Sequence, residues 1–357
     1  MNHHSLALEK LSPEVFVSTH PFPSFGPKEQ AVLDDALKAS SKGRVRICTH
    51  KTTEDRQQEM FISFTGDNYI RPSRHLGKDE SLHVLHGQGQ YLFFNEKGDI
   101  IDTVLLGEFA SEDKFYCRIN RDVLHALVIY SDKMTVHETT AGPFLRTDTE
   151  FATWSPEDGA ESAPAYLAAL KSYPKTRRPM LKMRREAEEV FIADEPIVSV
   201  GREEIEFLKS VVPTTTRKRV RLCAHTSSEN TLHEMFVVYT NCTYVRPNLH
   251  LGKDEALHIL EGEADFFFFD EQGNILEVIH LGDATTGRQI YCRVPAHKYH
   301  TIVMNSPTLV IHEVTPGPFV RSDTVWADWA PEENDLEGVS QFVSRLSKAA
   351  QSTSDAR

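Results

Sequence analysis

The chain contains its own second copy. The stretch "RPSRHLGKDESLHVLHG" runs from Arg71 to Gly87 and "RPNLHLGKDEALHILEG" from Arg246 to Gly262, an offset of 246 − 71 = 175 residues. The same offset relates "RVRICTH" at Arg44–His50 to "RVRLCAH" at Arg219–His225, and Tyr116-Cys117-Arg118 to Tyr291-Cys292-Arg293. It also relates "HETTAGPFLRTDTEFATWSPE" (His137–Glu157) to "HEVTPGPFVRSDTVWADWAPE" (His312–Glu332). No insertion breaks the register. A duplication without gaps over 357 residues restricts the fold to one domain type built twice, each copy long enough to enclose its own core.

Each copy reads as mainly β. Short runs rich in Val, Ile, Phe and Tyr are punctuated by turn sequences such as "NEKGD" and "DEQGN", which mark strands and the reversals between them. "GQYLFFNEKGDIIDTVLLG" and "ADFFFFDEQGNILEVIHLG" predict one β-hairpin per copy. Apolar periodicity predicts a short helix before the strands ("KEQAVLDDALKAS", "REEIEFLKSVV") and another after them ("PAYLAALKS", "VSQFVSRLSKA"). Regular short strands without βαβ alternation point to a sandwich or barrel such as a jelly roll. The expected division is a first domain over 1–174 with its barrel at about 44–158, a linker over 175–189, and a second domain over 190–357 with its barrel at about 219–333.

Composition narrows the function classes. Hydrophobic residues are 40% and charged residues 25% of the chain, the balance of a folded soluble protein. No apolar run reaches the roughly 18 residues that a membrane span needs, and the start, "MNHHSLALEKLSPEV", lacks the apolar core of a signal peptide. Five cysteines with no C-x-x-C pair fit free thiols in a reducing compartment, so the expected location is the cytoplasm. A net charge of −13 repels phosphate backbones and argues against nucleic-acid partners. The one basic cluster, "KTRRPMLKMRRE" (Lys175 to Glu186), reads as a solvated linker or helix face. No phosphate-loop, dinucleotide or nucleophile-elbow motif supports ATP, nicotinamide or serine-hydrolase chemistry.

The repeated line carries the candidate chemistry. Strand alternation would put Tyr69, Arg71, Ser73 and His75 on one face. "LGKD" then turns the chain, so that Glu80 can return to the same interior. A histidine nitrogen and a carboxylate oxygen converging in this way are usable metal ligands. The natural third ligand is His125, on a later strand and repeated as His300. The expected metal sites are therefore His75, Glu80 and His125, and His250, Glu255 and His300. Two histidines and a carboxylate suit Fe(II), with Zn, Mn or Ni as alternatives.

These residues resemble the cupin superfamily. Its first motif is H-x-H followed by Glu and then Gly; here it is represented by His75, Glu80 and Gly87 and by His250, Glu255 and Gly262, with His125 and His300 matching the second motif. The closer resemblance is to the WbuC-type cupin metalloproteins. It rests on Arg44, Arg46 and His50, then Tyr69, Pro72, Arg74, His75, Lys78 and Glu80, and finally Gly142, Pro143, Phe144, Asp148, Ala152, Trp154 and Pro156. The second copy departs at Leu249, where the first has Arg74. The resemblance implies two tandem cupin (double-stranded β-helix, or jelly-roll) barrels: a bicupin that forms a pseudo-dimer within one chain, with a homodimer also open. Both copies lack the first histidine of the motif, replaced by Ser73 and Asn248. That loss leaves either a more open coordination sphere or packed histidines that no longer hold metal.

Other repeated residues have two readings each. Arg44, Arg46, Cys48 and His50 share a strand face. Facing solvent, they are simply hydrated; facing the cavity, the arginines fit an anionic substrate and His50 or His225 could act as a general base. Arg71 and Arg246 are either substrate anchors or members of buried ion pairs. Glu59 and Glu234 are either cavity carboxylates or, by preference, partners of an arginine; His83 and His258 are expected to face outward or an interface, and His86, His233 and His280 to lie on the surface. Cys48, Cys117, Cys223 and Cys292 are expected to pack rather than react. The resulting functional expectation is a divalent-metal-dependent enzyme, either an oxygenase or a sugar isomerase or epimerase, acting on a small carboxylate or carbohydrate. The alternative is a non-catalytic module that binds a sugar or small acid.

Overall fold

The structure is a computed structural model describing residues 6–354. The extreme ends of both expected domains, residues 1–5 and 355–357, lie outside the described residues. Each copy forms a β sandwich with flanking helices. In the first, strands Arg44–Cys48, Gln57–Thr65, Lys133–Ala141, Glu80–His86 and Lys114–Ile119 lie side by side, and Ile100–Leu106, Gly89–Phe94, Leu124–Ile129, Ser73–His75 and Thr149–Phe151 continue the order. In the second, the equivalent strands separate into two sheets. One carries Arg219–Cys223, Leu232–Thr240, Thr308–Pro316, Glu255–Glu261 and Tyr291–Val294; the other carries Ile275–Gly282, Glu263–Phe269, Tyr299–Met304, Asn248–His250 and Thr324–Trp326.

The expected hairpins and helices form where the sequence puts them. Gly89–Phe94 pairs with Ile100–Leu106, and Glu263–Phe269 with Ile275–Gly282. The helices are Pro27–Ala39, Ala163–Lys171, Arg202–Val211 and Leu336–Ser354. Alternating residues build each sandwich interior: Phe64, Leu82, Tyr91, Phe93 and Val136 in the first copy, and Tyr239, Leu257, Phe266, Phe268 and Ile311 in the second.

The division of the chain differs from the expected one. Contacts group Glu29–Met183 with Ala193–Glu206 in a first unit, and Pro21–Lys28 with Arg184–Ile192 and residues from Phe207 onward in a second. Strand Ser24–Phe25 therefore pairs with Tyr291–Val294 of the second unit, and Val198–Gly201 pairs with Lys114–Ile119 of the first. An edge strand has unpaired N–H and C=O groups that a short strand can satisfy. Because the two copies are nearly alike, sequence pattern cannot tell which copy supplies that strand. The expected linker 175–189 is also not a solvated tether. Arg178 lies 2.6 Å from Asp102 and Arg177 3.1 Å from Asp113 in the first unit, and Met183–Ala187 is a strand.

Phe22 shows what the exchanged segment contributes. It is 7% exposed, belongs to the second unit's core, and stacks on Phe268 with ring centroids 3.9 Å apart. Truncating a buried phenylalanine leaves a cavity that costs about 3 kcal/mol or more. Phe22→Ala is expected to speed amide hydrogen exchange in Glu263–Phe269 and Tyr291–Val294, leaving Gly89–Phe94 unchanged. Faster exchange in the first unit instead would restore the sequential division.

Candidate metal centre

Cross-strand register brings the candidate ligands together. Ser73–His75 runs beside Leu124–Ile129 with Ser73 opposite His125, and Asn248 is opposite His300 in the second unit. Glu80 and Glu255 begin the next strands, each at a buried position. In each unit the histidine nitrogens and the carboxylate oxygen of the triad lie within 4.8 Å of one another. His75 Nε2 is 2.7 Å and His125 Nε2 3.8 Å from a Glu80 oxygen. His250 and His300 Nε2 are 3.1 and 3.0 Å from Glu255 Oε2.

The far side of each ring is occupied in a way that suits a ligand. His125 Nδ1 donates to the Val123 carbonyl at 2.9 Å, and His300 Nδ1 to that of Lys298 at 2.8 Å. A carbonyl can only accept, so in the neutral ring the Nε2 lone pair faces the carboxylate. His75 and His250 place Nδ1 3.3 Å from the hydroxyls of Thr149 and Thr324. Two oriented imidazoles and a carboxylate are a donor set that fits a divalent ion.

Electrostatics within the triad follow from burial. The Glu80 charge raises His75 to about 9, against the opposing effect of burial. Burial works to raise Glu80, but the charge and hydrogen bond of His75 outweigh it and hold the carboxyl at about 2. In the second unit burial opposes protonation of His250, but Glu255 wins and its value rises; Glu255 is held well below the carboxylate range. Burial lowers His125.

A family profile described as a domain of unknown function, DUF6016, matches residues 29–106 and 203–281, one stretch in each copy. No curated protein matches the sequence. Among solved structures, a mutant of salicylate 1,2-dioxygenase from Pseudoaminobacter salicylatoxidans in complex with gentisate is similar, with a TM-score of 0.55 and 10% identity over 83% of this chain and 81% of that one. Another gentisate complex of a mutant of that enzyme gives 0.55 and 11% over 84% of each chain. A cupin 2 conserved barrel domain protein from Leptotrichia buccalis gives 0.44 and 10%, over 79% and 93%. The fold is that of a bicupin.

In the second barrel of this bicupin the triad opens on a cavity of about 770 Å³. The strand Arg219–Cys223 turns its polar face inward, so Arg219, Arg221, Cys223 and His225 all line the cavity rather than facing solvent. His225 holds Nδ1 3.1 Å from the backbone of Glu234 and stacks on His233, which is buried and also lines the cavity instead of lying on the surface. His50 makes the same backbone contact with Glu59 at 2.9 Å. Burial pushes the Cys48 and Cys223 thiols up to about 11, which removes thiolate nucleophiles from the site.

Arg71 and Arg246 are not where alternation would put them. Pro72 has no N–H to extend the ladder, and the strand starts only at Ser73. Arg71 instead bonds Ser155 Oγ and the Ala152 carbonyl, each at 3.2 Å, and lies over Phe151. Arg246 bonds the Ala327 carbonyl at 3.0 Å and lines a separate groove with Glu332 and Glu333. Both fasten the tail to the barrel rather than facing the triad.

Two further expectations change. Glu59 and Glu234, expected beside an arginine, lie 3.2 Å from His137 and 3.3 Å from His312. His83 and His258 are buried on the strand face opposite Glu80 and Glu255, the interfacial arm of the expectation. His280 is half-buried and 2.6 Å from Asp265.

Sequence reasoning missed one pair of site residues, Glu138 and Glu313. Each follows a buried histidine in a long strand, so alternation turns the glutamate to the opposite face, toward the triad. The signal was there in the repeated "HE" of both copies. Burial and the neighbouring Glu80 charge raise Glu138 to about 7, and burial with Glu255 does the same for Glu313.

In metal-free protein the His75–Glu80 attraction acts only while His75 is protonated. Its folded value of about 9 exceeds the ordinary 6.5, so this stabilisation is complete below pH 6.5 and disappears as pH rises through 9. The Tm advantage of the parent over Glu80→Gln, measured in chelator, should shrink across that range. A metal must displace the same proton, so Zn(II) affinity by competition titration should strengthen over the same interval. An affinity indifferent to pH would contradict the assignment of His75 as a ligand.

Proposed function

We propose that this bicupin binds a divalent metal in each His–Glu–His triad and performs metal-dependent chemistry on a small anionic or sugar-like molecule. The supporting observation is the second unit's triad: two oriented imidazoles around one buried carboxylate, at the wall of a cavity large enough for a small molecule. The residues of interest are His75, Glu80 and His125 in one barrel and His250, Glu255 and His300 in the other. Fe(II) suits this donor set best, with Zn, Mn or Ni as alternatives. A bound ion would supply Lewis acidity or oxygen activation, which keeps oxygenation and sugar isomerisation or epimerisation both in view.

The chain's own groups fill complementary roles. Glu313 and Glu138, with values near 7, hold or release a proton near neutral pH beside the triad. His225 and His50 are available as further bases, each anchored through Nδ1 to the backbone. The WbuC-type resemblance and the acidic, cysteine-reduced composition support a cytoplasmic metalloprotein of that kind.

A non-catalytic binding module is the second reading. It is favoured by Ser73 and Asn248, which stand opposite the second-motif histidines where a further histidine would complete the cupin set. Elemental analysis of tag-free protein separates the readings at their root. The expected content is about two ions per chain, one per triad, falling to background in His75→Ala/His250→Ala. In Glu80→Gln/Glu255→Gln, far-UV circular dichroism should be unchanged and any turnover should fall at least ~100-fold. A chain that takes up no metal, even after anaerobic loading with Fe(II), would leave only the binding module.

A further inference from the structure

The second unit's cavity holds a cation with no matching anion. Arg221 is half-buried and lines the cavity, yet among the described residues no carboxylate lies within 4.0 Å of its guanidinium. Its side-chain hydrogen-bond contact among them is the thioether of Met235, at 3.8 Å. The first unit repeats this, with Arg46 contacting Met60 sulfur at 3.5 Å. A guanidinium has five N–H donors, and a sulfur accepts weakly. The neighbouring arginines differ: Arg219 lies 3.9 Å from Glu189 and Arg44 3.8 Å from Asp158. Of the two arginines on this strand, the one without an ion pair among the described residues is thus the same in both copies.

A cation taken out of bulk water needs a partner. Glu313 lines the same cavity but makes no ion pair with Arg221. Polar and apolar groups together line the cavity; Val237, Leu257, Phe266, Ile302 and Ile311 form an apolar part of its wall, and such a surface accommodates a hydrocarbon body.

We propose that Arg221, and by repetition Arg46, is the anchor for the head group of a monocarboxylate with an apolar body. Its two parallel N–H groups take the carboxylate, and the hydrocarbon part occupies the apolar walls beside the triad. This rests on the proposed small-molecule role of the cavity, and it selects a carboxylic acid over a neutral sugar.

Binding of hexanoate and benzoate, with hexanamide and benzamide as neutral isosteres, tests this by calorimetry on the full chain, as purified and after chelation. The chelated protein removes direct carboxylate–metal contact as an explanation. Both acids should bind at least tenfold more tightly than their amides in either state. Arg221→Gln/Arg46→Gln should abolish that preference while leaving amide binding in place as evidence of an intact cavity. Arg221→Lys/Arg46→Lys should keep part of it, because a point charge replaces a two-pronged donor. Equal binding of acid and amide, no binding of either, or an acid preference that survives Arg221→Gln/Arg46→Gln would each overturn the proposal. Metal content measured on the same samples keeps the two readings separate: an Arg221-dependent preference in a chain that never holds metal would sustain the anchor and sink the metal site.

Discussion

A carboxylate buried inside a β sandwich must be balanced, and the interior of each barrel is arranged around that requirement. Glu80 and Glu255 lie at the start of a strand at positions shut off from solvent. Left alone there, each charge would cost several kcal/mol in lost hydration. The antiparallel ladders put two imidazoles against it, one from the short strand before the turn and one from the later strand. With no metal present the positive charge is a proton on His75 or His250, which a divalent ion bound there would have to displace. Stability and metal affinity are thus set by one electrostatic demand, and they respond to pH in opposite directions.

The two copies meet this demand with different supporting groups. In the first, the Tyr91 hydroxyl reaches Glu80 Oε1 at 3.3 Å; the second has Phe266 at the equivalent place, stacked against His300. Glu255 therefore depends on its two histidines, which share a single oxygen. Arg74 ties the first copy's ligand strand to Glu96 and Glu150, at 2.6 and 2.7 Å, whereas Leu249 replaces it in the second. The candidate ligands recur unchanged in both copies, and the side chains that brace them differ.

Much of this was legible in the sequence because two periodicities carry it. The gap-free offset between copies predicts the paired fold, and the spacing from His75 to Glu80 spans one turn between two strands, so the ligand pair follows from alternation and a "LGKD" reversal. His125 could be named because it recurs as His300 in the same relation to a turn. Arg71 failed because Pro72 interrupts the alternation on which its placement depended. The inward face of Arg219–Cys223 was undecidable, since both faces of that strand are chemically plausible walls. Glu138 and Glu313 escaped notice because a glutamate in a strand ordinarily faces water; only the neighbouring strands show that this face is the interior.

By itself, then, the sequence determined the duplication, the β architecture and the six candidate ligand side chains that the fold brings together, all of which depend on short-range alternation and on repetition. Tertiary structure alone decided which copy receives Ser24–Phe25 and Val198–Gly201, whether the arginine strand lines a cavity, and where Arg71 and Arg246 point. Each of those depends on an edge strand choosing between near-identical partners or on a face being covered by something distant in the chain. Local pattern records what a residue can bury. Only the packed sandwich records against what.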